Sequence, residues 1–163
     1  RPLTTNEIPS MAAATLPGGH QSSDDAGPTD EARRDAAVDL INALKLSSSP
    51  QDKAAKVKQL TEALVHVKAT RALLPEFVPE ILLLQTEANV AVRRELAAFI
   101  DALSTLPAET LTLTKAPYLA QVFSTLCLLS RDKSEKVAKR SFMASIALFS
   151  SLYRACISQE DVQ

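Results

Sequence analysis

Apolar residues recur at three- and four-residue spacing through most of the chain from Asp30 onward, the mark of one helix face after another. A first helix is predicted over about Asp30 to Leu46, with Ala37, Val38, Leu40, Ile41 and Leu44 on its apolar face, ending at Ser47-Ser48-Ser49. Ser49-Pro50-Gln51-Asp52 opens a second. Ser49 suits the cap, Pro50 the first helical position, and Asp52 stands three after the cap. Its buried stripe is Val57, Leu60, Leu64 and Val67. A turn around Thr70 to Leu74 leads to a third helix with Phe77, Val78, Ile81, Leu82 and Leu84, which begins near Pro79 or is kinked there. The fourth starts after Asn89 and carries Val92, Leu96, Phe99, Ile100 and Leu103. Thr105 to Ala116, with Pro107 and a Thr-rich run, reads as a loop. A fifth helix starts near Pro117 and buries some of Leu119, Val122, Phe123, Leu126 and Leu129. Asp132-Lys133-Ser134-Glu135 has the form of a capping box for the sixth. That helix carries two stripes, Val137, Ala144, Leu148, Leu152 and Ala138, Phe142, Ile146, Phe149, Tyr153. A helix apolar on two sides is covered on two sides.

The helices pair through short turns as first with second, third with fourth and fifth with sixth. Glu87 to Arg94 superposes on Asp132 to Lys139, a polar turn leading to Val and then to a basic residue, with an offset of 45 residues. HEAT and armadillo repeats have a period of about 40–47 residues. The fold expected is all-α, an α-solenoid of HEAT/armadillo-like helix pairs with about six helices in three repeats. A lone pair cannot cover its inner face, so neighbours stack and share it. The sixth helix is then expected to keep one stripe for a following repeat. The rival fold, a four-helix bundle with extra helices, needs no such register.

Composition agrees with this reading. Ala (25) and Leu (23) make up 48 of the 163 residues, while aromatic residues are 4%. Both are strong helix formers. The net charge of −1 argues against a strongly basic nucleic-acid binder, and 2 Cys exclude a disulfide-rich scaffold. All 3 Gly lie before Asp30, in a segment with Pro2, Pro9, Pro17 and Pro28 and no helical period. Residues 1–29 are therefore expected to be a disordered acidic tail, and 30–163 the helical domain, truncated at its C-terminal end. A chain that starts at Arg1 reads as a fragment or processed product. The run after Met11 stops at Pro17-Gly18-Gly19, too short for a signal peptide. The longest apolar cluster, Ile81 to Leu84, falls far short of the ~18 residues that span a bilayer. The expectation is a soluble, intracellular chain that engages no membrane.

Candidate chemistry is sparse. His66 points away from the stripe of the second helix, and His20 lies in the tail; neither has a neighbour at metal-ligand spacing. Cys127 and Cys156 read as buried free thiols. No Ser or Thr has a visible activating base, so no enzyme activity, cofactor or small-molecule substrate is expected. The feature above background is basic. Residues 131–140 hold Arg131, Lys133, Lys136, Lys139 and Arg140 against Asp132 and Glu135. Arg93 and Arg94 stand in the matching place one repeat earlier, and Lys53, Lys56 and Lys58 near the start of the second helix. Stacking would align these into a ridge for an acidic partner: a phosphorylated peptide, an acidic protein surface or an RNA backbone. The competing reading is solvated helix faces, with Arg93 bonding to a neighbouring repeat's turn. No aromatic residues interleave the charges, so base stacking is not supported.

Five stretches together resemble the N-terminal HEAT domain of the symplekin family. They are Val38 to Asn42, Val57 to Leu60, Phe77 to Gln85, Val90 to Ile100, and Leu128 to Asp132 with Val137-Ala138-Lys139. The likeness runs from about Asp30 to Arg154 and rests on their order and spacing, since each is a generic HEAT pattern by itself. Two departures stand out. The loop from Thr105 to Ala116 is longer than the family's connection, and the family's domain continues for several more helices. The resemblance implies a nuclear protein–protein scaffold in pre-mRNA 3′-end cleavage and polyadenylation. Its implied partners are processing factors and a phosphatase of the polymerase C-terminal domain. An RNA-backbone-binding module, or a HEAT/armadillo adaptor of an unrelated pathway, remains the alternative.

Overall fold

The computed structural model describes residues 27–112 and 118–160. Residues 1–26, most of the expected tail, and 113–117, which hold the expected start of the fifth helix, lie outside them. Every described element is helical. The α-helices are α1 (Asp30–Leu46), α2 (Pro50–Thr61), α3 (Leu74–Leu82), α4 (Val90–Ser104), α5 (Ala108–Thr112), α6 (Tyr118–Leu129) and α7 (Glu135–Glu160).

The helix starts follow from capping chemistry. Thr29 and Ser49 accept from the amides of Ala32 and Asp52, and Asn89 from that of Ala91 at 2.8 Å. The expected capping box before α7 takes another form. Ser134 is the last residue before the helix, and its amide donates to the Asp132 carboxylate at 2.8 Å. Pro79 stands inside α3, which begins at Leu74; with no N–H it makes no bond to the Pro75 carbonyl.

Two elements depart from expectation. After Thr61 the second helix widens into a π turn, Glu62–His66, followed by a 3₁₀ segment, Lys68–Leu73. The extra residue per turn advances the phase of the apolar stripe. Val65 is buried, and Val67, expected in the core, is 40% exposed. The Thr70 hydroxyl meets the carbonyls of Ala63 at 2.6 Å and Val67 at 2.8 Å, tying the 3₁₀ segment back to the π turn. The expected loop from Thr105 also contains α5. Pro107 sets its start and takes the amide of Thr110, and Leu111 is fully buried.

The helices form two layers. α4 lies between α2 and α7, while α3 lies between α1 and α6; α1 packs on α2 and α6 on α7. One apolar cluster runs through both layers, from Ala37 and Ile41 to Ala144 and Leu148. Ala97 and Ala144 are fully buried, small enough for α4 and α7 to approach closely. Paired arginine and lysine on α1, Arg34 with Glu76 and Lys45 with Glu80, fasten it to α3 on the exposed side.

The buried polar groups are mostly satisfied. Thr61 donates to the Val57 carbonyl, and Thr125 donates to Gln85 Oε1 at 2.8 Å. The Ser141 hydroxyl is fully buried and has no hydrogen-bond partner among the described residues. Removing it costs no bond and improves helix propensity. Ser141→Ala is expected to raise stability by about 1 kcal/mol. Urea denaturation measures this, and a loss of stability would contradict it.

Candidate interaction surface

The same charge bridge occurs at both junctions of the α2–α4–α7 layer. Lys53, the fourth residue of α2, binds Glu87, three positions before α4, at 2.7 Å. Arg93, the fourth residue of α4, binds Asp132, three positions before α7, at 2.6 Å. The caps Ser49, Asn89 and Ser134 are accordingly spaced by 40 and 45 residues. At the corresponding place in α7 stands Ala138, which carries no charge.

The Arg93 bridge is the more elaborate. Its Nε and Nη2 donate to the two Asp132 oxygens, and its Nη1 donates to the carbonyls of Glu87 and Ala88 at 2.7 Å each. The side chains are 17% and 7% exposed, so the pair is largely withdrawn from water. Hydrogen bonds from Arg93 lower the Asp132 pKa, with the Ser134 amide helping and burial opposing; the same bond raises the Arg93 pKa.

This changes the expected basic ridge. Of the candidate residues, Arg93 is committed to the bridge and Arg140 to Asp101 at 3.1 Å. Lys53 and Lys56 are paired as well, with Glu87 and Asp52. Arg94, Arg131, Lys133, Lys136 and Lys139 are exposed and make no ion pair among the described residues. Lys58 on α2 is likewise exposed without an ion pair among the described residues, so exposed cations stand on all three helices of the layer while Lys53, Lys56, Arg93 and Arg140 are spent.

Arg131 and Lys133 line an open groove of about 740 Å³ between the Gln85–Ala88 turn and the turn that precedes α7. Its floor includes Cys127 and Leu128, the latter 51% exposed. The thiols were expected to be buried; both are exposed. Cys127 follows the buried Leu126 and turns into the groove, and Cys156 lies beyond Leu148, the last buried residue of α7. His66 is exposed on the π turn, 3.9 Å from Glu62. Among the described residues no group of three or more His, Cys, Asp or Glu is placed to hold a metal ion.

The second apolar stripe of α7 is bare. Phe142, Met143, Ile146, Phe149, Tyr153 and Ile157 are all exposed, and Phe149 and Tyr153 stack with ring centroids 6.3 Å apart. They lie opposite the face that packs on α4. The span Glu135–Ser158 is long and apolar enough to cross a membrane by length and composition. Ser141, Ser145, Ser150 and Ser151 interrupt its run of apolar residues, so it contains no long uninterrupted apolar cluster. Its inner face, Val137, Ala144 and Leu148, is occupied by the core.

No family model matches the chain, and no curated protein matches it.

Removing either partner of the Arg93–Asp132 pair leaves the other charge poorly hydrated and unpaired. Asp132→Asn is expected to cost about 2–3 kcal/mol near neutral pH. The folded state holds the carboxyl pKa below its unfolded value of about 3.9. The contribution is therefore intact above that value and is lost as pH falls through the lower, folded one. Urea titrations of the two proteins should show a constant difference from about pH 7 to about pH 5 that shrinks below about pH 4.

Proposed function

We propose that this chain is a HEAT/armadillo-like α-solenoid of three helix pairs that works as a non-catalytic protein–protein scaffold. The observation that carries this reading is the stack. α4 is covered by α2 on one side and by α7 on the other, a like charge bridge spans each junction, and α7 turns an apolar row away from α4. Repeat proteins present such a face because each unit buries its apolar surface on the next. The three pairs are α1 with α2, α3 with α4 and α6 with α7, and α5 is an insertion between the second and third.

The setting follows from the symplekin resemblance: a nuclear scaffold for pre-mRNA cleavage and polyadenylation, presenting its helical surface to processing factors or a polymerase C-terminal-domain phosphatase. A rigid layer of helices holds partners at fixed separation and needs no turnover.

Affinity purification of the tagged full-length protein from cells tests the setting. Recovery of cleavage and polyadenylation factors is expected. Recovery of a different assembly overturns the symplekin reading, and recovery of no protein overturns the scaffold.

A further inference from the structure

The two turns that wall the groove beside α6 are held by one side chain. Arg93 binds the carbonyls of Glu87 and Ala88 in one wall and the carboxylate of Asp132 in the other. The walls are therefore fixed relative to each other before anything binds, which removes part of the ordering cost of association.

The charge of the groove follows from the pairing of its residues. Both carboxylates at its edge are neutralised from behind, Glu87 by Lys53 and Asp132 by Arg93. The Glu87 and Ala88 carbonyls are already occupied by Arg93. Arg131 and Lys133 have no counter-charge among the described residues. The uncompensated charge facing solvent is thus positive, and between the cations lies an apolar floor, Leu128 with Cys127.

We propose that this groove docks an acidic peptide segment carrying an aliphatic side chain, with Leu128 meeting the apolar side chain and Arg131 and Lys133 meeting flanking carboxylates. The proposal rests on the scaffold reading and supplies the chemistry of one partner. Arg131 can take a carboxylate in a two-pronged bond, and Lys133 acts as a point charge. A volume of about 740 Å³ admits a few side chains of an extended segment. No aromatic residue lines the groove, so it offers nothing on which a base would stack. That favours a peptide over RNA.

Fluorescence anisotropy on the whole chain tests this with three labelled probes at low salt. The first is a short peptide of glutamates around a central leucine, the second the same peptide with serine for leucine, and the third an oligouridine of equal charge. The leucine peptide is expected to saturate. Its affinity should fall by at least roughly tenfold in Arg131→Ala/Lys133→Ala and in Leu128→Ser. Lys68→Ala, on the 3₁₀ segment and outside the groove lining, should change it by no more than about twofold. All these positions are exposed, and circular dichroism checks that each variant stays helical. No saturation by the leucine peptide overturns the proposal. Equal binding of the serine peptide overturns it in favour of diffuse charge attraction, and tighter binding of oligouridine in favour of an RNA surface. Failure of the peptide to bind while processing factors still co-purify overturns the groove alone. Peptide binding without those factors overturns the symplekin setting and leaves the groove standing.

Discussion

A single guanidinium ties α4 to the turn that precedes α7. Four of the donors on Arg93 are used, two on Asp132 and two on the backbone of the turn before its own helix. Apolar packing between α4 and α7 supplies a driving force without direction, shaped by the small buried residues Ala97 and Ala144. A slip of one turn would leave Asp132 buried without its partner, a state costing several times the ordinary worth of a hydrogen bond. The apolar faces supply the attraction and the bridge adds a contact with direction. The Lys53–Glu87 bridge repeats the placement with a simpler group, one ammonium on one carboxylate.

Local signals in the sequence carried most of the fold. Caps at Ser49 and Asn89 lie where spacing and residue type put them, since a cap is decided by groups a few residues apart. The two stripes of α7 were visible for the same reason. What escaped were effects settled by distant residues or by small changes of helical pitch. The π turn moves Val67 out and Val65 in, and no local residue announces it. The helix Ala108–Thr112 was hidden by Pro107 and by Thr, which depress helix propensity, yet burial of Leu111 outweighs that preference.

The basic surface was only half legible. Counting cations located a basic stretch, but not which of its members are paired. Arg93 meets its acid 39 residues away, Lys53 meets Glu87 34 away and Arg140 meets Asp101 39 away. Those partners lie on other elements, so a local count of charge does not show which cations are spent. The groove is a consequence of the same pairing. Its walls are the turns that the bridge joins, and its net sign is what remains after the bridges are formed.

The length of α7 has a further meaning. With 26 residues against 15 in α4, it rises about 39 Å where its neighbour rises about 22 Å. Beyond Leu148 no described side chain is buried. One continuous helix therefore has two regimes of local stability. Its first half carries the buried contacts, whereas its second half has the partly buried Leu152 against the core, the stacked Phe149 and Tyr153, and its backbone bonds. Local opening of the second half therefore costs less than opening of the first, because fewer apolar contacts are lost.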